Sequence, residues 1–263
     1  MTWHSILLRM TAMAPIEAAV VIIAIPTALV VGATILTRRL VGYENLATNN
    51  ELAGVKFGVV ALTYIMILTF ATLSAWEKFS VAQAAVTEEA AAAGAIHIIA
   101  GSETKEGEAL RAGVKAYLAR AISSEWPSMG AEQADPGTSK ALKRLYELGV
   151  DFDRVASETT QLAAEVFKHI DKINDCRQTR ITLSAGIIPD LMWFILIFGA
   201  MLTISFTLFF GGRNIVPQAI MTGITTAILL MALLVIISFD HPFTGVVHVD
   251  SSPLQNAMSE MDE

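Results

Sequence analysis

Charge is missing from four long stretches of this chain. Ala18–Leu36, Phe57–Trp76, Leu191–Gly212 and Asn214–Phe239 contain no Asp, Glu, Lys or Arg. A helix needs about 20 predominantly apolar residues to cross the hydrocarbon core of a membrane. All four stretches qualify, the first with Pro15 and Ile16 as an extension. Cysteine is also scarce. Cys176 stands alone, which excludes an intramolecular disulfide, and it reads as a small helical residue without chemistry. Basic residues are outnumbered 18 to 25, for a net charge of −7, which argues against a nucleic-acid-binding surface. There is no glycine-rich phosphate loop and no Ser/His/Asp order. The histidines His4, His97, His169, His241 and His248 are scattered. His241 and His248, even with Asp240 and Asp250, fit no standard metal spacing. No catalysed reaction, cofactor or metal is expected. No strand pattern and no internal repeat is visible.

The chain is rich in apolar residues, 54% of its 263, with a mean hydropathy of +0.55. Soluble domains sit near 45–50% apolar. The sequence therefore predicts an all-α membrane protein with four spans. A polar segment of about 110 residues between the second and third is long enough for a helical domain of its own. The expected layout is an N-terminal segment with two spans over 1–76, a cytoplasmic helical domain over 77–185, two spans over 186–239, and a C-terminal segment over 240–263. Residues 1–13 are mildly amphipathic, with Trp3, Ile6, Leu7 and Met10 against His4 and Arg9, and read as interfacial. No clear small-x-small cleavage site is present, so the first span reads as retained. Pro26 at its middle predicts a kink.

The second span is followed by EKFSVAQAAVTEEAAAAGAIHIIAG, which is rich in strong helix formers and free of proline. One helix is expected to run on to about Ala100. Glu108–Ser124 and Lys140–Leu148 read as further helices, with WPSMGAEQADPGTS as a loop between them. Asp153–Ala185 reads as a long helix running into the third span, and Ser139 and Asp151 as N-caps. With four spans, both termini share a side with the domain. Lysines and arginines near the span ends number six on that side and four on the other, which leans toward a cytoplasmic domain.

Several motifs carry a resemblance. The segment Asp240-His241-Pro242-Phe243-Thr244-Gly245 follows the last span, and Trp76 with Phe79 ends the second. Four spans, a helical domain after the second, and Pro-Phe-x-Gly after the fourth resemble the bestrophins, where an uninterrupted Pro-Phe-Gly follows the last span. A bestrophin-like membrane family of unassigned function is more similar. Its pattern is matched by Asn50-Glu51-Leu52-Ala53-Gly54, Trp76-Glu77, Glu89-Ala90 and Glu125-Trp126-Pro127-x-Met129. Arg177, Arg180, Pro189, Trp193 and the Asp240–Gly245 motif continue it. Together these cover roughly residues 45–258. The resemblance implies a pentameric ion channel with an apolar neck on the second span and the domain as its inner vestibule. Eukaryotic bestrophins pass anions under calcium control, and bacterial relatives can favour cations. Calcium gating is not implied here, because only Asp250 follows Gly245 before the far C-terminus.

One face of the second span carries Gly58, Leu62, Met66, Thr69, Leu73 and Trp76, with Thr72 beside it. Apolar rings can gate by dewetting, so Leu62 and Met66 are the candidate neck. Core packing is the alternative reading of such a stripe. Glu51, Glu77, Glu88 and Glu89 are candidate rings that set ion preference, here toward cations, with Lys56 and Lys78 opposing. Arg177 and Arg180 are candidate partners of Asp190 or Glu77. Asp190 and Glu17 read as helix N-terminal acids. Asp240, Pro242, Phe243 and Gly245 read as a structural turn. The expected partners are further copies of this chain, a lipid bilayer (a bacterial inner membrane) and small inorganic ions. A membrane-anchored scaffold whose domain binds a partner is the second reading, since its Ala82–Ala95 face would suit close helix packing.

Overall fold

The structure is a computed structural model, and it describes residues 15–48, 50–155, 160–186, 188–244 and 247–262. Every regular element among the described residues is helical. Among the described residues, four helices are long and apolar enough to cross a membrane: Ile16–Val41, Asn50–Ala100, Asp190–Thr207 and Ile215–Asp240. Two compact units divide the chain near Glu77.

The first unit takes the described residues through Glu77, 188–240 and Val247. Its first span begins with α1 (Pro15–Ala19), passes through a π-helical turn at Val20–Ala24, and continues as α2 (Ile25–Val41). Pro26, where the sequence predicted a kink, stands at the start of α2 directly after this turn. Ile25 N–H bonds the Val20 carbonyl, and Pro26, next in line, has no N–H to offer. A short helix, α3 (Tyr43–Ala47), leads to α4 (Asn50–Ala100), and the third and fourth spans are α9 (Asp190–Thr207) and α10 (Ile215–Asp240). Leu29, Leu36 and Leu40 on α2 and Val216, Met221 and Ile224 on α10 are more than half exposed. In water such a surface would aggregate, whereas hydrocarbon solvates it.

Specific contacts fix the packing inside this shell. The Tyr64 hydroxyl donates to the Leu196 carbonyl at 2.8 Å, and Gly199, which a side chain would drive into the Tyr64 ring, lets the two helices approach. Asn50 acts as a surrogate backbone pair for Gly211, donating to its carbonyl and accepting from its N–H. Arg38 donates to the Gly212 and Arg213 carbonyls.

The second unit takes Lys78–Gly186 with His241–Thr244 and the described C-terminal residues from His248. No proline lies between Pro26 and Pro127, and α4 runs unbroken for 51 residues, about 77 Å at 1.5 Å per residue. That is far longer than the ~30 Å hydrocarbon core. Gly101, at φ +59°, ends it. Thr104 then caps α5 (Lys105–Arg120) by accepting from Gly107 N–H. A second π turn, Ala121–Glu125, leads into α6 (Trp126–Met129), where the sequence predicted only loop. The following helix, α7 (Pro136–Val155), is longer than the expected Lys140–Leu148. Its start is set by Asp135, whose carboxylate accepts from the Thr138 N–H and hydroxyl. Ser139 therefore lies inside the helix and does not cap it, and Asp151, expected to cap the next helix, lies inside this one as well. The next helix, α8 (Thr160–Ser184), does not run into the third span. Gly186 adopts φ +84°, and Pro189, which cannot continue a helix from its N-terminal side, sits just before α9. A final helix, α11 (Ser252–Glu260), packs on α5, where Lys115 pairs with Asp262.

Candidate functional site

The exposed face of α4 is an unbroken stripe at three- and four-residue spacing. Leu52, Val55, Val59, Leu62, Met66, Leu73 and Trp76 are each more than half exposed, and Thr69 lies exposed among them. Gly58 is half-buried, and a side chain there would meet nothing within 4 Å. Trp76 lies edge-on to Phe239, with ring centroids 5.2 Å apart. The Thr69 and Thr72 hydroxyls donate to the Ile65 and Leu68 carbonyls, so the oxygens are left as acceptors. Glu51 and Glu77 are exposed, roughly 39 Å apart along the helix.

Beyond Glu77 the helix is described with the second unit. Ala82, Ala85, Val86, Glu89, Ala93, Ile96 and Ala100 are buried within the second unit. Glu88 and Glu89 part company here, because successive residues on a helix sit about 100° apart. Glu88 is exposed and pairs with Lys172 at 2.6 Å. Glu89 has no exposed surface, which corrects its reading as part of a selectivity ring. A side chain closed inside the unit lines no aqueous path.

Glu89 belongs to a buried network of two carboxylates and two guanidiniums. Arg180 Nε donates to Glu89 Oε2 at 2.6 Å and its Nη2 to Glu89 Oε1 at 2.9 Å and to Glu125 Oε2 at 3.2 Å. Arg177 Nε donates to Glu125 Oε1 at 2.9 Å, and its Nη2 reaches Ser139 Oγ. The Tyr117 hydroxyl donates to Glu89 Oε1 at 2.6 Å. Burial and the neighbouring Glu89 charge push the Tyr117 hydroxyl well above its ordinary pKa. Burial opposes the Arg180 charge, but Glu89's attraction and hydrogen bond outweigh it and hold the guanidinium firmly protonated. Arg180 also lies over the Trp126 ring, 5.2 Å from its centroid, and touches Met129 Sδ. The arginines therefore pair with Glu125 and Glu89, not with Asp190 or Glu77. Sequence reasoning missed Glu89 and Glu125 as their partners, and Tyr117 as a donor to Glu89. The only signal was that Arg177 and Arg180, three apart, share one helix face.

Asp240 closes α10 in the first unit, and it is buried. Its Oδ1 accepts from Ile188 N–H at 2.7 Å and its Oδ2 from Trp193 Nε1–H at 3.1 Å, tying the end of the fourth span to the start of the third. In the second unit, Phe243 sits edge-on to Trp126 at 5.6 Å, and the Pro242 carbonyl accepts from Val249 N–H. Gly245 lies outside the described residues. Asp190 opens α9 in its first turn, and Glu17 stands in α1. Asp240→Ala is expected to strand two buried donors, at a cost of roughly 2–4 kcal/mol. A thermal melt of the purified protein checks this, and an unchanged midpoint contradicts it.

A model of the bestrophin-like domain matches residues 24–254. Solved structures share the fold. A bacterial bestrophin homolog from Klebsiella pneumoniae aligns at TM-score 0.68 and 14% identity, over 90% of this chain and 94% of that one. A point mutant of it aligns at TM-score 0.72 and 14% identity, over 91% and 96%. No curated protein matches.

Proposed function

We propose, from the premise that the chain belongs to the bestrophin-like family, that it is an integral membrane protein forming an oligomeric ion channel whose second span lines the pore. Five copies is the number the resemblance implies. The helical unit and both termini face the cytoplasm of a bacterial inner membrane. The observation that supports this reading is the stripe on α4, which no other part of its own unit covers. Repeated around an axis, Leu62 and Met66 make an apolar neck that gates by dewetting. Gly58, Thr69, Thr72 and Leu73 continue the lining. The threonine oxygens, with their hydrogens already donated, present acceptors that suit a cation. Rings of Glu51 and Glu77 at either side of the neck add the same preference, with Glu88 weakened by its Lys172 partner.

The lone native thiol makes a clean test possible. Cys176 is buried, and burial pushes its pKa up to about 11, so it is poorly reactive at neutral pH. Leu62→Cys in reconstituted bilayers is expected to lose more than half its current on exposure to a charged methanethiosulfonate reagent. Wild-type current is expected to stay unchanged. Modification of the new cysteine without any change in current would contradict pore lining.

A further inference from the structure

In the second unit, the end of α4 meets α5 at a histidine. His97 stands in the last turn of α4, about 32 Å along the helix from Trp76 and well past the apolar run. Its Nε2 accepts twice from Arg111 of α5, from Nε at 3.1 Å and from Nη2 at 2.6 Å. The pair ties the two helices together across the Gly101–Thr104 connection. Gly107, where a side chain would run into the Ala100 carbonyl, lets the first turn of α5 close on the end of α4. Lys115, one turn beyond Arg111 on α5, holds Asp262 of the C-terminal segment at 2.7 Å.

This geometry admits one protonation state of the ring. A guanidinium has five donors and no acceptor, so Nε2 must offer a lone pair. The single hydrogen of the neutral ring is then on Nδ1, which is buried and has no hydrogen-bond partner among the described residues. A second proton can arrive only on Nε2, directly against Arg111. The charged groups that act on His97 are Arg111 and Lys115 from α5 and Asp262 from beyond α11, two cations against one anion. The residue is half-buried, so protons reach it from water.

We propose that His97 is an acid-released latch: the neutral ring ties the end of α4 to α5 through Arg111, and protonation breaks the tie and loosens the connection between the two helices. Burial first, then Arg111 and Lys115, lower the pKa of the ring, and Asp262 opposes them. The fold therefore favours the neutral form. The latch holds fully above about pH 6.5, the ordinary histidine value, and is lost as pH falls through the lower value of the folded protein. Ile96, with no exposed surface, keeps α4 itself docked, so the release is confined to the chain between His97 and Arg111. The latch is independent of whether the protein conducts ions.

Hydrogen–deuterium exchange of the purified full-length protein tests it, with rates at about pH 8 and about pH 5 scaled for the intrinsic chemistry of amide exchange. Amides of residues 98–107 are expected to exchange roughly tenfold faster at the acid pH, the worth of one lost charge-assisted hydrogen bond. His97→Gln, whose amide oxygen accepts from Arg111 in place of Nε2, should stay slow at both. Two charge variants separate a titrating latch from a packing residue, and they keep the test open if His97→Gln does not fold. Lys115→Gln, which removes a cation, should raise the pH at which exchange accelerates. Asp262→Asn, which removes the anion, should lower it. Acceleration that survives in His97→Gln, that spreads equally to α7, or that keeps its midpoint in both charge variants would overturn the proposal, as would unchanged exchange in wild type.

Discussion

Replacing Arg180 with methionine is expected to destabilise the protein by roughly 3–5 kcal/mol, the usual cost of leaving one member of a buried ion pair without its partner. Arg180 has no exposed surface and bonds Glu89 twice and Glu125 once. Its loss strands the Glu89 carboxylate in a site where only the Tyr117 hydroxyl still donates to it. Arg177 remains to neutralise Glu125. The double variant Glu89→Gln with Arg180→Met is therefore expected to recover most of the loss. The Glu89→Gln amide keeps an acceptor for Tyr117, and no charge is left unpaired. The measurement is a thermal or denaturant melt of wild type, both single variants and the double, read as a cycle. Simple additivity of the two single effects would contradict the pairing. The prediction is large because a neutral, fully hydrogen-bonded network turns into a charged defect when one atom group is removed.

Alanine at Leu62 and Met66 is expected to raise single-channel conductance several-fold and prolong open time. Both side chains stand more than 60% exposed on the stripe, one turn apart. An apolar constriction resists ions because it expels water, and this barrier falls steeply as the ring widens. Shortening two successive rings removes the narrow stretch without introducing charge. Neither side chain packs inside its own unit, so stability should change little. Planar-bilayer recording checks this. Unchanged conductance in protein shown to be oligomeric would move the neck to another face of the helix.

Much of the fold was legible because its signals are local. Span lengths followed from uncharged runs, and the length of α4 from the absence of proline and the surplus of helix formers. The Gly186–Pro189 break was missed, although both residues are punctuating, because the polar pattern before it and the apolar pattern after it are each helical. The network was illegible for a different reason. Its bonds join residues 52, 55 and 91 positions apart, and periodicity within one helix says nothing of the partner. Glu88 and Glu89 show the limit most clearly. Alanines flank them on both the buried and exposed sides of α4, so no apolar stripe told which glutamate faces inward. Asp240 was read as a turn residue. Its actual role, holding the N–H groups of Ile188 and Trp193, needed the third and fourth spans to be brought together.

The central claim is that this chain conducts ions, and the direct measurement is flux from liposomes holding the purified oligomer under separate potassium and chloride gradients. Potassium-driven flux with a reversal potential that follows potassium is expected, reduced in selectivity when Glu51 and Glu77 are made glutamine. A potential that follows chloride would contradict the cation preference. No flux from folded oligomer, with the Leu62 and Met66 neck also opened by alanine, would contradict the channel itself and favour a membrane-anchored scaffold.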